Sequence, residues 1–275
     1  MKMRMISRFA EMKRLGEKIA MLTAYDAPQA RAQQEARVDA ILVGDSVGVN
    51  ILGYASEREV TLADMAHHTR AVRRGAPEAF ILSDLPFATY DSPEQAVASA
   101  KYLQQAGADA VKFEGAHPEL VQVLAAAGVP VCGHLGYEPQ HCERRVHGKT
   151  FEEASKIFAD AKILDEAGVF MLVIELAPAE LAAAITRAVK AATIGIGAGP
   201  HTDGQVLVFP DVLGYTERNF RHNRRYAEVG AAMRNSAAAY LQDVRAGAFP
   251  TMANCSAMPA EALAQFEAEI LERQS

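Results

Sequence analysis

The chain has 275 residues, half of them hydrophobic and 23% charged, and carries a net charge of −6. That composition excludes a disordered tail, a collagen and a coiled coil, and the acidic balance gives no electrostatic footprint for nucleic acid. No apolar run reaches the about 18–20 residues of a membrane span, and the charged stretch 1–18 holds no apolar core of signal-peptide length. The three cysteines, Cys132, Cys142 and Cys255, form neither a CxxC pair nor an even set. A soluble, cytoplasmic protein with reduced thiols is expected, with no membrane and no nucleic-acid partner.

After an N-terminal arm (1–18), short apolar runs begin at 19–24 and 40–43. Residues 61–74 carry apolar positions three and four apart and read as a helix. The alternation then repeats, with runs at 79–82, 110–113, 129–132, 169–174, 193–196 and 205–208. Between most of them lie candidate helices at 93–106, 118–127, 151–167 and 178–191. Pro93 and Pro118 suit a first helical turn, after Ser92 and His117 as candidate caps, while Gly75, Gly107, Gly128 and Gly168 stand where helices should stop. Runs this short and apolar throughout suit parallel strands covered on both faces. Eight of them with intervening helices predict an α/β protein, a (β/α)₈ TIM barrel; a doubly wound sheet is the competing arrangement. No linker divides the chain, so one domain over 1–275 is expected, with a C-terminal helical extension from about 218. That extension contains a long helix near 226–245 and a short one near 259–273.

In a barrel, chemistry gathers at the C-terminal ends of the strands. The residues closing these runs are Tyr25 and Asp26, Asp45 and Ser46, Asp84, Lys112 with Glu114, His134 and Glu175. Asp26 and Ser92 are as well explained as helix caps. The combination of Asp45, Asp84, Lys112, Glu114 and Glu175 favours a site. Three hard carboxylates without a thiolate or paired histidines suit Mg²⁺ better than zinc. His67 and His68 are adjacent on a helix and diverge by about 100°, so they form no common site. Lys112 and Glu114 share one strand face, and a lysine beside a cation would stabilise an enolate oxygen while Glu175 removes a proton α to a carbonyl. The glycine segment 195–199 reads as a tight turn rather than a phosphate loop. The arginine-rich RNFRHNRRY (218–226) reads as a solvated or subunit-facing helix start. Cys132 reads as a core thiol, and His134 either as a core histidine or as a donor to substrate.

The motifs LTAYDAP (22–28), ILVGDSVG (41–48), VTLADMAHHTRAVRRGAP (60–77), SDLPFATY (83–90), AVKFEG (110–115), VPVCGHLGYEPQ (129–140), VIE (173–175) and IGIGAG (194–199) occur in this order. Together they resemble the 3-methyl-2-oxobutanoate (ketopantoate) hydroxymethyltransferase family. The resemblance implies a barrel of the phosphoenolpyruvate mutase/isocitrate lyase type, Mg²⁺ dependence and a homo-oligomer, usually a decamer. It implies transfer of a hydroxymethyl group from 5,10-methylenetetrahydrofolate to 3-methyl-2-oxobutanoate, giving 2-dehydropantoate for pantothenate biosynthesis. Motif by motif it implies that Asp45 and Asp84 bind the metal and substrate while Glu114 completes the metal shell. Ser46, Lys112 and His134 would meet the 2-oxo acid, and Glu175 would be the base at C3.

Three stretches depart from the family wording. YEPQHCERRVHGKT (137–150) replaces a longer glycine-rich segment, LGYASEREVT (52–61) replaces an aspartate-serine-threonine-leucine-proline stretch, and from about Asp211 the chain has Pro210-Asp211 and an arginine-rich start where the family often has a histidine-aspartate pair and a proline-rich loop. A paralogous enolate-forming aldolase or C–C lyase, acting on another 2-oxo acid or electrophile, is the alternative.

Overall fold

The computed structural model describes residues 2–216 and 220–271. The chain divides into two compact units, Met1–Ala227 and Glu228–Ser275. The first unit opens with helix α1 (Lys2–Leu15), strand β1 (Ile19–Thr23), α2 (Ala27–Glu35) and β2 (Ala40–Val43). It continues through α3 (Leu62–Gly75), β3 (Ile81–Asp84), α4 (Pro93–Ala106), β4 (Ala110–Glu114), α5 (Pro118–Ala126) and β5 (Val131–Gly136). It ends with α6 (Phe151–Ala167), β6 (Met171–Glu175), α7 (Ala179–Ala188), β7 (Ala192–Ile196), β8 (Gly204–Leu207) and the one-turn α8 (Phe209–Val212). All eight strands are parallel and form a closed barrel in sequence order. Pairing of Ile19 with Gly204 and of Leu22 with Leu207 closes the ring, which overturns the doubly wound alternative.

Local chemistry explains the elements. Asp26 accepts from the Gln29 amide at 2.7 Å, Ser92 from Gln95 at 3.2 Å, and Thr150 from Glu153 at 3.2 Å, so α2, α4 and α6 start on side-chain caps. His117 precedes Pro118 but makes no cap bond; its ring packs 6.2 Å from Phe113 instead. Four strands run past their apolar signal, β4 and β6 by the single residues Glu114 and Glu175 and β3 and β5 by more. β3 extends through Ser83 and Asp84, and β5 starts two residues late and runs on through Gly133–His134–Leu135–Gly136. In both, the added residues are buried, and all but Leu135 are polar or glycine positions that break the apolar run while keeping the ladder.

The N-terminal arm is the helix α1, which seals the N-terminal end of the barrel. Phe9 is fully buried, its ring 5.2 Å from Phe80 and 6.3 Å from Phe170, and Met12, Ile19, Met21 and Val206 join the same cluster. The second, larger core lies between the barrel and its helices. At the seam of β1 and β8 only α8 follows the last strand, so Ala20 and Gln205 are exposed and an apolar groove of about 830 Å³ runs past Ile19, Met21 and Gly199.

The second unit consists of α9 (Val229–Ala246), a short turn at Met252–Asn254 and α10 (Ala260–Phe266), prolonged by a wider turn at Glu267–Leu271. The segment 218–226 lies partly outside the described residues, and its described part, from Phe220, is loop rather than helix start. Among the described residues no helix is long and apolar enough to cross a membrane.

Candidate active site

Strand register brings the polar ends together. Asp84 pairs with Lys112 across β3 and β4, Glu114 with His134 across β4 and β5, and Gly136 with Glu175 across β5 and β6. Gly136 takes φ 102°, and a Cβ there would lie 2.2 Å from the Glu175 carbonyl oxygen, so a larger residue would push β5 off β6 where Glu175 projects.

The side chains converge on a pocket of about 120 Å³, lined by all seven candidates: Asp45, Ser46, Asp84, Lys112, Glu114, His134 and Glu175. Lys112 Nζ lies 3.2 Å from Asp84 Oδ1 and 3.3 Å from His134 Nδ1. Asp84 Oδ2 accepts the Asp45 amide at 3.1 Å. Tyr25 and Ser46 share a hydroxyl hydrogen bond of 2.9 Å. An ammonium can only donate, so Nδ1 of His134 accepts, and in the neutral ring Nε2 then carries the proton. That Nε2 lies 3.2 Å from Glu175 Oε2 without hydrogen-bond alignment, and it is buried with no other partner.

Burial dominates the electrostatics. It raises Asp84 to about 7 against the opposing pull of Lys112, and raises Glu114 well above the usual carboxylate range. Burial also raises Glu175 to about 7, with Lys112, Arg144 and His222 pulling the other way. His134 is held well below the ordinary imidazole value by burial and by Lys112, which keeps it neutral. Burial disfavours the charged ammonium of Lys112, but Asp84, Asp45 and Glu114 more than reverse this, so it stays cationic.

Sequence reasoning missed several residues of the site. Gln140 is buried just beyond β5 and ties three elements together. Its backbone amide donates to Glu114 Oε2 at 2.9 Å, while its side-chain amide donates to Asp45 Oδ2 at 2.7 Å and to the Leu85 carbonyl at 3.1 Å. Tyr90 Oη donates to its Oε1. The Pro-Gln pair after a strand end was the available signal. Glu57, Arg144, Phe220 and His222 also line the pocket, all of them from segments that depart from the family wording. The glycine segment is a turn, with Gly197 and Gly199 at φ 64° and 81°. His68 Nδ1 bonds the Tyr25 carbonyl at 2.6 Å, so the His67–His68 pair is structural. Cys132 is a buried core thiol, raised to about 12 by burial.

Among the described residues no three His, Cys, Asp or Glu side chains form a ready-made metal cage. Asp45, Asp84 and Glu114 do supply hard oxygens around one pocket, and Asp84 Oδ1 is buried with no hydrogen-bond partner.

A family model described as ketopantoate hydroxymethyltransferase matches residues 3–252. The chain is 50% identical over 262 residues to a protein of Roseiflexus sp. (strain RS-1) named 3-methyl-2-oxobutanoate hydroxymethyltransferase, covering 92% of this chain and 94% of that one. A protein of the same name from Shouchella clausii (strain KSM-K16) is 48% identical over 261 residues, with the same coverage. Among solved structures, 2,3-dimethylmalate lyase, a member of the PEP mutase/isocitrate lyase superfamily, superposes with a TM-score of 0.59 at 14% identity, covering 98% of each chain. That likeness establishes the barrel type alone.

Proposed function

The chain belongs to the ketopantoate hydroxymethyltransferase family, and from that premise we propose that it transfers a hydroxymethyl group from 5,10-methylenetetrahydrofolate to 3-methyl-2-oxobutanoate, giving 2-dehydropantoate. The observation that carries the chemistry is the pairing of a carboxylate poised near neutrality, Glu175, with an ammonium held cationic, Lys112, around one small pocket. Glu175 takes the proton from C3 of the acid, and the Lys112 ammonium stabilises the negative charge that develops on the keto oxygen. His134, neutral and with its proton on Nε2, separates base from ammonium and turns that proton toward Glu175 or the substrate. The C3 carbon then bonds to the one-carbon unit. One water enters, leaving its oxygen as the product hydroxyl, while the C3 proton and a water proton go to the two carrier nitrogens.

The residues fit Mg²⁺. Asp45 and Asp84 would hold it, with Glu114 completing its surroundings, and Asp84 Oδ1, which meets only the Lys112 ammonium at 3.2 Å and accepts no aligned hydrogen bond, adds to an all-oxygen set. Bound there, the ion would supply Lewis-acid polarisation of the 2-oxo acid. The family resemblance further implies a homo-oligomer working in the cytoplasm within pantothenate biosynthesis.

The test is turnover of the two substrates with and without Mg²⁺, in wild type and in Asp84→Ala and Glu175→Ala. The reading expects Mg²⁺-dependent 2-dehydropantoate from wild type and loss of it in both variants. Full activity in both variants overturns the site. Proton exchange at C3 without folate-dependent product moves the chain to the alternative, an enolate-forming enzyme with another electrophile.

A further inference from the structure

Arg144 sits at the rim of the pocket in the altered segment 137–150, and its surroundings set it apart from the next residue. Arg145 is tied down: its Nη2 lies 2.7 Å from Glu153 Oε1, and Glu153 also accepts the Gly148 amide at 2.9 Å. Tyr137 stacks on His147 at 6.3 Å and 17°, closing the segment on itself. The loop is therefore anchored on either side of Arg144, while Arg144 itself is exposed and makes no hydrogen bond or ion pair among the described residues. Its guanidinium lies 3.6 Å from the centre of the Phe220 ring, and Phe220 stacks in turn on His222 at 5.7 Å with 2° between planes. The result is a three-layer stack of planar groups ending in a guanidinium with its five N–H donors uncommitted.

Two further facts say what this stack is for. The 2-oxo acid already has a cation inside the pocket, Lys112, so its negative charge is met without a second one at the rim. The pocket, at about 120 Å³, accommodates a small acid but not a multi-ring carrier as well. The carrier of the one-carbon unit, whose rings are planar and whose tail is anionic, must lie across the rim. There a guanidinium backed by an aromatic ring offers a face for stacking and edges for carbonyl or carboxylate oxygens.

We propose that Arg144, held flat by Phe220 over His222, is the recognition residue for the folate donor, and that it takes no part in binding the 2-oxo acid. The inference rests on the functional reading above and adds to it the residue that selects the electrophile.

The experiment measures three quantities for wild type, Arg144→Ala, Arg144→Lys and Phe220→Leu: KM for 5,10-methylenetetrahydrofolate, KM for 3-methyl-2-oxobutanoate, and deuterium exchange at C3 without donor, the last read on its alkaline plateau, where Glu175 is ionised in every variant and the charge of Arg144 no longer sets its protonation. Arg144→Ala should raise the donor KM by about tenfold or more, with the acid KM and the exchange rate within about twofold of wild type. Arg144→Lys keeps the charge without the planar fork and should fall between the two. Phe220→Leu should raise the donor KM by less than Arg144→Ala, by removing the backing ring. The proposal is overturned if the acid KM rises while the donor KM stays, if exchange falls along with transfer, or if nothing moves. Wild-type protein that exchanges but fails to transfer would sink the functional reading instead, which separates the two failures.

Discussion

The two ends of the barrel are made from the same eight strands by opposite rules. At the N-terminal end Phe80 packs edge to face on Phe9 and Phe170 to close the interior, and the half-buried charge nearby is fully partnered. Lys13 Nζ gives its protons to the Thr186 and Ala191 carbonyls and to Asp203, each at 2.9 Å. At the C-terminal end Asp84 Oδ1 meets only the Lys112 ammonium, at 3.2 Å, and His134 Nε2 is buried without an aligned hydrogen-bond partner, among three further carboxylates. Unmet polar groups cost about 1–3 kcal/mol each, a burden the apolar end must offset. One end stabilises the fold; the other holds chemistry in readiness at the expense of stability.

That contrast can be broken at either end. The largest effect is expected from Glu175→Gln, which removes the base while keeping its shape. C3 exchange should fall by about 10²–10⁴-fold with no loss in melting temperature, read by proton NMR and a thermal scan. Phe9→Ala should do the reverse, costing about 3–5 kcal/mol in chemical denaturation while exchange per folded molecule is unchanged. Gln140→Leu removes donors to Asp45 and Leu85 and the acceptor of Tyr90, and should cost about 1–3 kcal/mol and slow exchange as well, because Gln140 braces the acids. The smallest effect, a gain of about 1 kcal/mol at neutral pH, is expected for Glu114→Gln in protein stripped of divalent cations. Glu114 has its folded-state pKa raised, so its stabilising contribution is present below the unfolded value near about 4 and is lost as pH rises through the folded one. The amide variant should flatten that part of the stability curve, and an unchanged curve would show that Glu114 is not under strain.

Much of this was legible in the sequence because parallel strands buried on both faces leave short, unmistakable apolar runs. What was lost was lost for physical reasons. The ends of β3 and β5 were misplaced because Asp84 and His134 serve the pocket, while Ser83 bonds Thr69 of α3 and Gly133 makes room for Leu164 of α6, so all four lack the apolar signal that marks a strand. The helix α1 was passed over because its charged residues mask the Met5, Phe9 and Met12 stripe at helical spacing. The seven site candidates stood at strand ends and were found there. Gln140, Glu57 and Arg144 stand on loops and a single short turn, where no periodicity marks a residue, and Glu57 and Arg144 also stand where the family wording had changed.

The most direct test of the central claim, that Glu175 is the base at the polar end, is the pH dependence of C3 deuterium exchange in 3-methyl-2-oxobutanoate without donor. With its pKa raised to about 7, Glu175 is protonated and inactive in acid. Exchange kcat/KM should therefore climb about tenfold per pH unit below 7 and level off above it, and the climb should vanish with the activity in Glu175→Gln. A flat profile through pH 7, or the same climb retained in Glu175→Gln, would contradict the account.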